Sequence, residues 1–98
     1  MQESLDIRRF VVISTGHVSE KTATMLDETP SRRWPFAGGS YDEIGWFAYV
    51  HHENVGLDRD RIPDELFAVM TWARQKDVDY ILFDRDGGRI DDLPFFDW

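Results

Sequence analysis

An α+β fold is predicted, with a small central mixed or antiparallel sheet of three to four strands and two helices. Three observations carry that reading. Three short runs are rich in β-branched and aromatic residues, two segments between them place apolar residues at helical spacing, and 98 residues are too few for the βα units of a doubly wound sheet. A chain this long buries roughly 60 to 65 % of the surface its unfolded form exposes, enough for one core without disulfide or metal. Residues 1–98 therefore read as a single α+β domain, with residues 1–6 expected to fray.

The first strand is Phe10-Val11-Val12-Ile13, set between Arg8-Arg9 and the turn residues Ser14-Thr15-Gly16. Its unbroken apolar run reads as a strand covered on both faces. Ser19 stands at an N-cap position before Glu20, and Ala23, Met25 and Leu26 form a stripe, which predicts a helix over about 19–28 that Pro30 stops. Residues 30–45 hold two prolines and three glycines and read as an ordered irregular loop, pinned to the core by Trp34 and Phe36. Trp46 to Val50 is the second strand, followed by a polar loop from His51 to Arg61.

Pro63 at the first helical position and Asp64 and Glu65 behind it open the second helix, about 63–76. Leu66, Val69, Met70 and Ala73 form its buried stripe, Phe67 and Trp72 widen it, and Arg74 and Lys76 close the last turn. Tyr80 to Phe83 is the third strand, and Asp86-Gly87-Gly88 supplies turn chemistry. Residues 90–98 return as an edge strand or lie as an extended tail; Pro94 allows nothing more central. Strand direction stays open.

The 19 acidic and 11 basic residues give a net charge of −8, which argues against ordinary phosphate-neutralising nucleic-acid binding and toward a basic partner. The absence of cysteine excludes a disulfide framework, a zinc ribbon and thiol catalysis. No run approaches the ~20 apolar residues of a membrane span and the first ten residues carry charges, so a soluble, intracellular protein is expected, with no membrane partner.

Several strings carry chemistry in other proteins. Ile81 to Gly88 ends an apolar run in Asp84-Arg85-Asp86-Gly87, which looks like the nucleophile loop of haloacid dehalogenase-type phosphatases. Gly88 stands where Thr or Ser is needed, ten residues remain for the rest of that fold, and no suitable lysine follows, so the turn reading prevails. Asp84, Asp86, Asp91 and Asp92 lack the spacing and final Glu of a calcium loop. His51, His52 and Glu53 could join His17 at a metal, but adjacent residues of extended chain point opposite ways. Ser14, Thr15 and His17 could form a nucleophile and base, yet no Gly-x-Ser-x-Gly signature is present. Trp34, Phe36, Tyr41, Trp46, Phe47 and Tyr49 could stack bases; without a basic groove they read as core and interface. The expectation is accordingly no catalytic residue, no metal and no cofactor. The alternative is a small metal-dependent enzyme or accessory protein using His17, His51 and His52 or Asp84 and Asp86.

The acidity is uneven. Residues 1–52 carry a balance of −2 and residues 53–98 one of −6. Asp77, Asp79, Asp84, Asp86, Asp91, Asp92 and Asp97 flank or follow the third strand, and carboxylates two apart on extended chain lie ~7 Å from one another, of the order of the spacing of phosphates along a nucleic-acid strand. These seven are the candidate partner-binding residues. Charge of this size also serves simply to keep a surface solvated.

The strings Arg8-Arg9-Phe10-Val11-Val12-Ile13-Ser14-Thr15 with His17-Val18-Ser19, then Ile62-Pro63-Asp64-Glu65-Leu66-Phe67-Ala68-Val69-Met70-Thr71-Trp72-Ala73, and the ending Asp92-Leu93-Pro94-Phe95-Phe96-Asp97-Trp98 resemble a family of small acidic proteins encoded on bacterial plasmids, integrative elements and prophages. The resemblance covers most of the chain and implies a context but no catalytic residue. Genes carried beside such proteins include antirestriction and anti-CRISPR proteins, many of them small, acidic and acting by occupying a nucleic-acid site. What it implies here is an anti-CRISPR or related anti-defence protein that binds a basic groove on a defence effector complex and blocks target DNA through an acidic, DNA-mimicking surface, without binding nucleic acid itself.

Overall fold

A computed structural model describes residues 5–51 and 59–98. The elements run β1 (Phe10–Ser14), a 3-10 turn (Thr15–His17), α1 (Glu20–Glu28), β2 (Gly38–Tyr41), β3 (Gly45–Tyr49), α2 (Asp64–Gln75) and β4 (Tyr80–Asp84). The sheet has four strands in the order β1-β4-β3-β2. β1 runs parallel to β4, while β4 with β3 and β3 with β2 are antiparallel, so the sheet is mixed. The predicted α+β class, the two helices and three of the strands stand with shifts of one residue at their ends.

The fourth strand lies inside the stretch read as an irregular loop. Gly38-Gly39-Ser40-Tyr41 has little strand propensity, but it pairs with Ala48 to Gly45 in a hairpin. Asp42 takes a positive φ of 51° in the connection, which an Asp tolerates. Gly45 is required by close approach: a Cβ there would lie 1.7 Å from the carbonyl oxygen of Phe83 on β4. Residues 90–98 form no strand and lie as an extended tail.

Both helices contribute to one core on one face of the sheet. Ile13 of β1, Trp46 and Ala48 of β3, and Ile81 and Phe83 of β4 meet Ala23 and Leu26 of α1 and Leu66, Val69, Met70 and Ala73 of α2. Trp34 and Phe36 are buried against this core, as expected of the residues that pin the loop. Ser19 caps α1 by accepting a hydrogen bond from the Thr22 amide at 3.2 Å.

The N-termini of the two helices are tied together by Glu65. Its carboxylate accepts from the Ser19 hydroxyl at 2.9 Å, from the Ser19 amide at 3.3 Å and from the Thr22 hydroxyl. Burial pushes the Glu65 carboxyl up, but the bonds from Thr22, its own backbone and Ser19 outweigh it, and the net shift is below the ordinary value of 4.5. A carboxyl that is more acidic folded than unfolded stabilises the fold above its unfolded pKa, and that contribution is lost as pH falls through the folded value. Glu65→Gln should therefore cost about 1 kcal/mol at neutral pH, discounted for a partly exposed group. In thermal melts the deficit should shrink as pH drops below about 4; a deficit independent of pH would show that the charge of Glu65 does not contribute.

Candidate partner-binding surface

Among the described residues, no helix lies on the opposite face of the sheet. Alternation along each strand sends Phe10 and Val12 of β1, Tyr80 and Leu82 of β4, Phe47 and Tyr49 of β3, and Tyr41 of β2 to this side. The register aligns them in rows: Phe10, Tyr80 and Tyr49 across three strands, then Val12, Leu82, Phe47 and Gly39 across four. The Phe10 and Tyr80 rings stack at 4.9 Å, and Tyr80 lies 5.1 Å from Tyr49. Phe10 is 55 % exposed, Val12 48 % and Tyr41 46 %. Phe10, Tyr41, Phe47 and Leu82 line a shallow depression of about 300 Å³. The first strand is thus covered on one face only, against the reading of its unbroken apolar run.

This aromatic face is bordered by charge. Asp79, just before β4, accepts from the Arg9 amide at 2.9 Å and faces the His51 Nε2 at 3.0 Å. The Arg9 amide chiefly, with His51 and the charge of Arg8 assisting against partial burial, holds the Asp79 carboxyl below the ordinary range. Arg8 sits over Tyr49 at 6.0 Å and pairs with Asp6 at 2.8 Å. At the other end of β4, Asp84 occupies the next row, beside Ser14 and Gly45. Among the described residues, this apolar patch with carboxylates at both ends has the make-up of an interface.

The seven candidate aspartates fall into two groups. Asp77 and Asp79 lie at the start of β4, and Asp84, Asp86, Asp91 and Asp92 lie in and after its end, with Asp97 further along the tail. Only Asp84 is within a strand, so the expected strand-like row does not form. Asp77 takes a positive φ of 59° just beyond α2, its carboxylate 3.8 Å from Arg9. Asp84 accepts from the Asp86 amide at 2.8 Å, an Asx turn that closes the loop after β4. Asp77, Asp86, Asp91, Asp92 and Asp97 are exposed.

The residues weighed for chemistry have structural partners. His17 is fully buried; its Nδ1 donates to the Pro94 carbonyl at 2.7 Å and its Nε2 accepts from the Ile90 amide at 2.9 Å. These partners fix a neutral ring protonated on Nδ1 and leave no nitrogen for Ser14, whose hydroxyl caps the 3-10 turn by accepting from Gly16. His51 lies with Asp79 at the opposite end of the parallel strands from His17. His52 and Glu53 lie outside the described residues. Among the described residues, no group of three or more His, Cys, Asp or Glu is placed to hold a metal. No helix among them is long and apolar enough to cross a membrane.

The aromatic set divides. Trp34, Phe36 and Trp46 are core, whereas Tyr41, Phe47 and Tyr49 join Phe10, Val12, Tyr80 and Leu82 on the open face. Those last four were hidden because consecutive apolar residues give no signal of which face is bare. No curated protein and no solved structure matches the chain. Residues 10–98 match the C-terminal domain of DUF5983, a family of unknown function, and this protein belongs to that family.

Proposed function

We propose that this domain is a non-enzymatic protein-binding module whose open sheet face docks on a partner bearing basic groups. The observation that carries the reading is the seven-residue aromatic and aliphatic face with carboxylates at both ends. A two-layer fold that served only its own stability would gain from polar residues there. The net charge of −8 steers such a surface toward cationic partners and away from nucleic acid.

The resemblance to proteins of mobile elements favours one partner in particular: a nucleic-acid-binding subunit of a CRISPR or restriction effector, with the protein acting as an anti-defence inhibitor that excludes target DNA. The exposed acids Asp86, Asp91 and Asp92 support this form by supplying charge next to the end of β4.

The test is competition: the protein is titrated into purified multisubunit effectors holding labelled target DNA. Displacement of the DNA is expected, weakening from low to moderate salt. Reversing Asp84 with Asp86, or Asp91 with Asp92, to Lys should weaken it more than reversing Glu3 or Asp6. Tyr41→Glu, at an exposed position of the face, should weaken it about tenfold or more, the effect of a buried interface aromatic. Effectors that hold protein and DNA together with undiminished affinity would overturn the inhibitor reading. Full binding by Tyr41→Glu would remove the sheet face from the interface.

A further inference from the structure

β1 is an edge strand, and one end of its outer edge is already covered. Arg9 turns its amide and carbonyl inward, the amide to Asp79 at 2.9 Å and the carbonyl to the Tyr80 amide at 3.0 Å. Alternation then points the amide and carbonyl groups of Val11 and Ile13 toward β4 and those of Phe10, Val12 and Ser14 away from the sheet. The Ser14 amide donates to the Gly88 carbonyl at 3.0 Å, so the turn after β4 covers this end of the edge. Gly87 permits that approach, since a Cβ there would lie 2.5 Å from the Ile13 carbonyl. Among the described residues, nothing pairs with the outward backbone groups of Phe10 and Val12. The side chains of the same two residues are the most exposed apolar groups of the sheet face. Edge strands are ordinarily blunted by lysine, proline or a bulge; this one carries none over Phe10 to Ser14.

We infer that the β1 edge at Phe10 and Val12 accepts an extended segment of a partner polypeptide as a fifth strand, with apolar side chains continuing the aromatic rows and a lysine or arginine at the end that meets Gly88. This deepens the reading of the domain as a protein-binding module and rests on it. Backbone pairing supplies affinity and the rows select alternate apolar residues, the mode of β-strand addition. The basic residue follows from charge: the segment that stops the strand, residues 84–92, carries Asp84, Asp86, Asp91 and Asp92 against Arg85 and Arg89. A second copy of this chain does not fit. Antiparallel pairing of two β1 edges about Val11 would set residue 8 of one copy opposite Ser14 of the other, where Gly88 already lies, and each copy brings eight net negative charges.

The probe is a fluorescein-labelled peptide, Lys-Lys-Val-Thr-Val-Thr, titrated into the whole protein by anisotropy. Val12→Pro is the decisive variant, because it deletes an outward amide without removing a bond to β4, and proline is tolerated on that side of an edge strand. Binding of the peptide, with slowed amide exchange at Phe10 and Val12 and at least tenfold weaker binding to a Val12→Pro variant that melts like the parent, is the expected result. If Val12→Pro unfolds the chain, Phe10 and Val12 exchange in the parent carries the test alone. No binding, or equal binding by a folded Val12→Pro, overturns the inference. The distinction from the broader reading comes from Tyr41→Glu, on the far edge strand: if the edge test fails while Tyr41→Glu still weakens effector binding, the face docks a partner without strand addition, and if both fail neither reading stands.

Discussion

Met70→Asp is expected to abolish the cooperative thermal transition. Met70 lies in the middle of α2, has no exposed surface, and belongs to the cluster that joins the helix to Ile81 and Phe83 of the sheet. A carboxylate there enters a cluster of apolar side chains. It must either lose its hydration or take up a proton, at a cost of several kcal/mol. The whole stability of a domain this size is about 5 to 15 kcal/mol. Lost thioether contacts and the cavity left by the shorter side chain add to the penalty. Far-UV circular dichroism on heating measures this directly, with Gln75→Ala, exposed at the end of the same helix, as the variant that should melt within a degree or two of the parent. A Met70→Asp protein that melts like the parent would take α2 out of the core.

How much of this was legible in the sequence follows from where period and punctuation agree. α2 could be read to within a residue, because Pro63, the acidic first turn and the spacing of Leu66, Val69, Met70 and Ala73 all point the same way. The hairpin strand could not, because Gly38-Gly39-Ser40 has no propensity of its own and is held by its neighbour Phe47 and the approach of β3. Of the candidate surface, the acids were visible and their arrangement was not. Asp84 ends β4 and closes a turn with Asp86 in place of a longer strand, and Asp79 is engaged by Arg9 and His51 from elements distant in sequence. The open aromatic face was derivable in principle. Strands with apolar residues on both sides need cover on both sides, and two short helices can cover only one. Read as a constraint on the number of helices, Phe10-Val11-Val12-Ile13 already implies a bare face; read strand by strand it implies the opposite.

His17→Ala should release the C-terminal tail and cost about 2 to 4 kcal/mol, from two hydrogen bonds lost to the tail and a cavity left behind. The ring holds the tail at two points four residues apart, Ile90 and Pro94, and its edge meets the Phe95 ring at 5.4 Å. Two further bonds join the same surfaces: the Phe96 amide donates to the Gly16 carbonyl at 2.7 Å and the Trp98 indole to the Val18 carbonyl at 2.9 Å. Those bonds lie further along the tail and are weakened when the anchor goes. The substitutions that separate hydrogen bonding from volume are Asn and Phe. Asn keeps one donor and one acceptor in less space, whereas Phe fills the space and offers neither. If the bonds hold the tail, stability falls in the order His, Asn, Phe, while faster exchange at the Phe96 amide and a red shift of Trp98 emission are larger for Phe than for Asn. If volume holds it, the order of Asn and Phe reverses. The same anchor bears on the partner-binding edge, because residues 87–89, which cap β1 at Ser14, are continuous with Ile90. A tail freed from His17 should loosen Gly88 from Ser14, seen as faster exchange at the Ser14 amide, and so lengthen the edge open to a fifth strand.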